Sequence, residues 1–519
     1  MNFNKKLAVA VSGAVLLMAG QFALADSATD IVDALVSKGV LTEEEGKLIT
    51  KGHTSKTSVT PVVKEKDGAF TLESANARNS ISLTGRMHLD YRDSSIDGGE
   101  LGGGRTDDRD TASLADQFEL RRARLGVKGK FANDFKYEVV GNLPGTATID
   151  VAFLDFAKYD AVQLRVGKFK QPFGLEQLTS SNNIGLMERS YVDQTVPGKK
   201  IGFQVMGSPK AGFTYALSSF QNHDVERDIS GGDRLSAAAR GTINFAEIMG
   251  NKEMIMHVGL AGLDNTYSVG VSNSSQTDVA VSASHRGTIS SFRTPGRGVN
   301  NIFRGQVGGE ACNDAGVYNC SSEFSARVEN RAVGLEGIFA SGPFKLVGEY
   351  SAGDYKGASN NGNTVSYDTK TYYVETGWFI TGEKYASSYK NGTFSSFKPI
   401  NEFDLDKGNL GAIEALFRAE AYDVDNLVMS GTSTNRVQGN LSRYHNNTTE
   451  RAESRASGTE SGAKTYTAGV RWILNPNVVV KGNYSYTRFD NVFAPIDITS
   501  STRNISDEKL FMIRTQYMF

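Results

Sequence analysis

Two adjacent arginines interrupt an alternating ribbon, QFELRRARLGVKGKF, at residues 117–131. Phe118 and Leu120 put apolar groups at even positions, whereas Ala123, Leu125 and Val127 put them at odd ones, so the phase slips at Arg121-Arg122. A β-bulge absorbs such a slip and re-aims side chains. With it, Arg121 and Arg122 both reach the polar side of the ribbon, followed by Arg124 and Lys128. Two guanidiniums in one wall require neutralisation, either by a bound anion or by carboxylates such as Glu119 and Asp150. The chemistry on offer is recognition of an oxyanion by planar, fork-shaped donors.

A second candidate stretch is RVGKFKQPFGLEQLTSSNNIGLMERSYVD. A strand ends at Lys170 or Gln171, a Pro-Phe-Gly turn follows, and the chain then stays polar for more than twenty residues. Long loops without their own secondary structure are commonly functional. Folded inward in a large barrel, this one would narrow the lumen and offer Ser180, Ser181 and the amides around Asn182 as neutral donors; left outside, it is an ordinary surface loop. Residues 263–325 carry Arg286, Arg293, Arg297 and Arg304 with little acid before Glu310, which reads as a basic vestibule or as a solvated loop. Cys312 and Cys320 lie in the same segment and, in an oxidising compartment, are expected to form a disulfide rather than remain free thiols. No G-x-S-x-G, H-E-x-x-H or Walker loop occurs, and the six histidines (53, 88, 223, 257, 285, 445) are scattered, so no catalytic residues, metal or cofactor are expected.

The elements that must position these groups are strands. ISLTGRMHLDYR sets Ile81, Leu83, Gly85, Met87, Leu89 and Tyr91 against Arg86, His88, Asp90 and Arg92, and GAIEALFRAEAY, KTYTAGVRWIL and VVVKGNYSYTR repeat the scheme. The composition agrees with a large closed sheet: 55 Gly, 20 Tyr and 28 Phe, but only 10 Pro and 2 Cys. The net charge of −2 excludes a global basic field of the kind that attracts nucleic acid. Residues 1–25 read as a signal peptide, with Lys5-Lys6, an apolar run from Leu7 to Leu17 and Ala23-Leu24-Ala25 before the cut. Residues 26–75 read as a periplasmic segment: two short helical pieces, with Ile31, Leu35 and Val36 lining the first, a break at Gly39 and a Thr42/Glu45 capping box on the second, then a polar linker. From about residue 76 to 519 the connections alternate. Those near 131–134, 158–161, 208–211, 341–343 and 475–477 are short, while 92–116, 171–198, 221–233, 263–325, 356–366, 423–463 and 490–506 are long. Such alternation predicts an all-β, antiparallel up-and-down barrel of about sixteen strands in the outer membrane, with 382–409 as a long connection on the periplasmic side. The chain ends in a strand, KLFMIRTQYMF, because the last strand must pair with the first to leave no open edge in lipid.

From residue 79 onward the sequence resembles the phosphate-selective porins O and P of Gram-negative outer membranes. The resemblance is carried by GRMHLDY, F-x-x-RRARLGVKG, RVGKFKQPFGLEQLTSSNNIGLMERS, TGE…KP near 378–399, GAIEALFR and the terminal Phe519. It implies a homotrimer of sixteen-stranded barrels with passive diffusion of small anions such as phosphate, lodged in lipid and lipopolysaccharide by the barrel assembly machinery. By motif, the constriction would comprise Arg86, Arg121, Arg122, Asp150, Ser180 and Ser181, with Arg124 beside them; the vestibule arginines would be Arg286, Arg293 and Arg297. One position departs from the pattern: Gln177 stands where the phosphate porins carry a lysine three residues before the serine pair. A weakly selective general porin, or an outer-membrane barrel enzyme or adhesin, are the competing readings.

Overall fold

Alternation with one apolar side builds strands, and in lipid their edges must be satisfied by closure. The computed structural model describes residues 32, 34–49, 60–66, 68–97, 111–113, 117–222, 235–271, 279–281, 286–308, 325–359, 362–430, 436–439, 460–493 and 505–519. Sixteen strands form the barrel. They are β1 Ser80–Asp97, β2 Gln117–Phe131, β3 Phe135–Asn142, β4 Thr148–Tyr159, β5 Val162–Lys170, β6 Lys199–Gly207, β7 Phe213–Gln221 and β8 Ser236–Asn244. The second half comprises β9 Met254–Val271, β10 Ser325–Ser341, β11 Phe344–Ser359, β12 Thr364–Phe379, β13 Ala412–Ser430, β14 Ser461–Ile473, β15 Val478–Phe493 and β16 Ile505–Met518. Each strand pairs antiparallel with the next, and β16 pairs with β1 from Asp507↔Asp97 to Met518↔Arg86.

The terminal phenylalanine completes this seam. Phe519 N donates to Gly85 O at 3.1 Å and Gly85 N to Phe519 O at 3.0 Å. A Cβ at residue 85 would stand 2.5 Å from the Phe519 ring, so the ring lies over a glycine that leaves space for it. Tyr517 packs beside it in a tilted pair, with ring centroids 5.7 Å apart.

The outward face is apolar: Leu83, Met87, Leu217, Leu260, Val333, Leu335, Val374 and Phe417 are all exposed. Ring pairs mark one rim, Phe131–Phe135 at 4.9 Å and Phe344–Trp378 at 5.9 Å, as in the aromatic girdles of membrane barrels. Among the described residues no helix is long and apolar enough to cross a membrane.

The lumen is not uniformly wet. On the side of β10–β16 it holds two apolar cores. One gathers Phe292, Ile302, Phe303, Val307 and Val437 from the 272–324 and 431–460 connections against Tyr355, Tyr367, Tyr422 and Phe489 of the wall. The other gathers Tyr385, Phe394 and Phe397 of the 380–411 connection against Leu175, Val192, Phe379 and Val347. Segment 380–411 therefore lies on the periplasmic side, as parity predicts, and it folds up into the barrel.

Three expectations change. The connection expected to be long at 356–366 spans only residues 360–363, because SAGDYKGAS and TVSYDTK continue the strands. Part of the stretch read as a linker forms a hairpin, Val62–Lys66 with Ala69–Glu73, which adds to β1 through Thr71↔Ser82 and Leu72↔Ile81. The interior, which the strand faces carrying Arg86, His88, Asp90 and Arg92 mark as polar, also carries the apolar cores just described. The capping box stands: Thr42 N donates to Glu45 Oε2 at 2.9 Å and Glu45 N to Thr42 Oγ1 at 3.2 Å. Residues 1–25, Ile31, Cys312 and Cys320 lie outside the described residues.

Candidate functional site: an inward loop and the arginines beneath it

Residues 171–198, between β5 and β6, cross the lumen. A cluster on the wall fixes where they start: Phe173 packs with Phe220, Leu263 and Ala332, and Gly334 leaves room for its ring, since a Cβ there would lie 3.1 Å from it. The short helix Leu175–Leu178 has no side-chain cap of its own. Glu349 of β11 caps it instead, accepting Leu175 N at 2.8 Å and Glu176 N at 2.6 Å while Tyr373 donates to it at 2.7 Å. The far end is held by the last three strands. Arg471 donates to Asn183 O at 3.1 Å, Lys481 to Ile184 O at 2.7 Å and Gln516 to Asn182 O at 3.1 Å. Carbonyls that would otherwise be unsatisfied inside the barrel are thus paired.

The bulge between β1 and β2 falls where the phase slip predicts it: His88 pairs with Arg122 and Leu89 with Leu120, leaving Arg121 unpaired in the register. The two arginines then differ in how closely they approach Glu188 of the inward loop, Arg122 Nη2 standing 4.0 Å from Oε2. Arg122 is buried, with Nη1 3.4 Å from His88 Nδ1, and it lines the cavity described below. Arg121 turns to Glu188 of the inward loop, with Nε–Oε1 at 2.9 Å and Nη2–Oε2 at 3.3 Å.

Glu188 also accepts Arg92 at 3.1 Å and Arg514 at 2.6 Å, and Arg514 in turn holds Asp90 through two bonds. Arg92 continues to Glu119 at 2.9 Å, which accepts Arg297 at 3.1 Å. The carboxylates anticipated for Arg121, Glu119 and Asp150, therefore serve other arginines. Burial alone would raise the Glu188 pKa, but Arg514, Arg121 and Arg122 outweigh it and hold the carboxyl well below the usual range.

On the other side of the loop lies a cavity of about 1390 Å³. It runs from Ser180 and Ser181 to the turn at Ser208–Ala211, with the β2–β8 wall on one side and Lys390, Asn391 and Thr393 of segment 380–411 on the other. Arg86, Arg122, Arg124, Asp150, Ser180 and Ser181 all line it; Arg121 does not. Arg86 Nη1 donates to Ser181 Oγ at 3.1 Å and lies 3.4 Å from Ser180 Oγ. Arg124 donates to Asn142 at 3.2 Å and pairs with Asp150 at 2.8 Å. The lining carries eleven Lys and Arg side chains against five Asp and Glu.

Of the vestibule residues, Arg297 is engaged by Glu119, and Arg293 is exposed, its backbone tied to Gln194 of the inward loop at 2.9 and 3.0 Å. The side chain of Arg286 is outside the described set. Among the described residues no group of three or more His, Cys, Asp and Glu is placed to hold a metal.

Sequence reading missed Glu188, Lys170 and Lys199. Lys199 shares strand parity with the outward Phe203, which assigns it to lipid, but it sits at the rim beside Gly198 (φ +69°) and turns inward to Asp150.

A curated relative, Porin O of Pseudomonas aeruginosa, is 26% identical over 474 residues, covering 88% of this chain and 92% of its own. Among solved structures, OmpT of Vibrio cholerae (TM-score 0.44, 11% identity, covering 85% of this chain and 98% of that one) and an anion-selective porin of Comamonas acidovorans (TM-score 0.43, 9% identity, 85% and 100%) are similar. The profile of the phosphate-selective porin O and P family matches residues 81–519, and the chain belongs to that family: it is a porin of the bacterial outer membrane.

Proposed function

We propose that the pore prefers anions, phosphate-class oxyanions among them, and that Arg86, Arg122 and Arg124 with Ser180 and Ser181 form its binding constriction. One observation carries the reading. Arg86 spends its bonds on hydroxyls rather than on a carboxylate, at the head of a cavity where cations outnumber carboxylates about two to one. The name of the family, phosphate-selective porin O and P, points the same way. Passage is passive: loop arginines concentrate anions, guanidiniums and hydroxyls replace part of the hydration shell, and binding stays weak enough to release.

A weakly selective pore is the second reading. It is favoured by Asp90, Glu119 and Glu188, which neutralise Arg92, Arg121, Arg297 and Arg514 on the other side of the loop.

A homotrimer fits the low wall of the barrel. Strands β3 and β5–β8 are only eight or nine residues long, against thirteen to nineteen in β9–β16. Nine residues tilted at about 40° rise only about 23 Å, short of the ~25 Å lipid band, so sister barrels rather than lipid would cover that face. Residues 1–25 would be removed on export, leaving 26–75 in the periplasm.

Reversal potentials across a chloride gradient, with phosphate titrated as a blocker, test the reading. R86A and R122A should each reduce anion preference and weaken block about tenfold. Block and selectivity unchanged in both variants would remove the arginines from the site.

A further inference from the structure

The glutamine at 177 leaves the loop without the lysine expected there, yet the site is not short of charge. We infer that Lys199, on the barrel wall, supplies the missing cation, and that the site thereby keeps a grip on multiply charged oxyanions; the inference rests on the anion-channel reading above. Gln177 and Lys199 line the same cavity. Gln177 Nε2 lies 3.5 Å from where a Cβ on Gly198 would stand, beside the backbone of the residue preceding Lys199. Lys199 opens β6 opposite Lys170.

The two lysines differ in what they do. Lys170 Nζ donates to Leu178 O at 3.1 Å and Thr179 O at 3.0 Å, so it holds the loop. Lys199 Nζ contacts Asp150, which Arg124 also holds at 2.8 Å. One carboxylate between two cations leaves a positive charge uncompensated, and Arg86 with its hydroxyl partners adds another. An anion seated at Arg86 and Ser181 thus meets an ammonium from a strand rim that Asp150 holds in place, which is firmer support than a loop gives.

Charge arithmetic makes the inference specific. The interaction of one ammonium with an anion scales with the anion's charge, so removing it costs hydrogen phosphate twice the free energy it costs chloride. A loss of about tenfold for the divalent ion then corresponds to about threefold for the monovalent one.

The test uses the full-length protein in planar bilayers, with chloride carrying the current and inorganic phosphate as blocker, at a pH where phosphate is mainly divalent. K199Q should weaken phosphate block about tenfold and chloride binding, read from conductance saturation, only about threefold. K199R should retain the block, and K199Q/Q177K, which restores a lysine from the loop side, should recover it. Wild-type anion preference with K199Q leaving block unchanged, or with K199Q/Q177K failing to recover a lost block, overturns the role of Lys199 and leaves the channel reading standing. A wild-type channel without anion preference overturns both.

Discussion

Glu188 is the residue on which the constriction turns. It reaches Arg92, Arg121 and Arg514 at once, and removing one partner of a buried charge cluster typically costs about 3–5 kcal/mol. E188Q should lower the temperature of the folded-to-unfolded mobility shift on gels and make single-channel current noisier. The pH dependence follows from the depressed carboxyl pKa. A group whose folded pKa lies below its unfolded value stabilises above the unfolded value, near 4, and that contribution is lost only as pH falls through the lower folded one. The Glu188 contribution, read as the difference in current noise between wild type and E188Q, should therefore persist from pH 7 to about 4. Loss of that difference in a transition centred at about pH 4.5 would show that Glu188 titrates normally. At this scale the sequence was half legible. The slip at Arg121-Arg122 located the bulge because period is a local property. The partner of Arg121 was not legible, because Glu188 is brought there by a loop anchored on strands far away in the chain. Lys199 was hidden for another reason: parity does not hold at a rim.

At the scale of elements, the inward loop and segment 380–411 share one apolar core, through Leu175 and Val192 on one side and Tyr385, Phe394 and Phe397 on the other. The segment is also clamped polarly: Tyr389 OH lies 2.8 Å from His257, and Arg240 donates to Gly392 O at 2.8 Å while pairing with Glu336. Deleting residues 385–399 should raise single-channel conductance several-fold, since it removes a lumen wall and half of the loop's footing; conductance equal to wild type would show that the segment does not bound the path. E349A should loosen the loop more mildly, because it removes the acceptor of two helix-start amides, worth about 1–3 kcal/mol, and it should be read as excess current noise. Parity made the position of this segment legible; its upward fold was not, because TGEKYASSYKNGTF reads as polar until its aromatics are seen against the wall. The 62–73 hairpin escaped for a related reason: two five-residue strands carry too little periodicity, and their stability comes from pairing with β1.

For the whole molecule, the sequence told more about closure than about filling. The alternating strands and the terminal phenylalanine foretold the cylinder, and Phe519 over Gly85 now accounts for that end. G85L forces a side chain into the ring's place, and removal of Phe519 leaves the seam short of a pair; both should cut the yield of heat-modifiable barrel in the outer membrane several-fold. Normal yield of either would separate the seam from assembly. The low wall of β3 and β5–β8, if covered by sister barrels, should give a threefold protomer mass in detergent by light scattering.

Arg514 joins the seam to the aperture. It grips Asp90 on the first strand and Glu188 on the inward loop, while neighbouring donors on β14, β15 and β16 take up the loop's carbonyls. A segment from the first half of the polypeptide thus takes part of its footing from the last three strands. A chain cut short before β14 would lack not only its hem but also the donors that hold the tip of the inward loop.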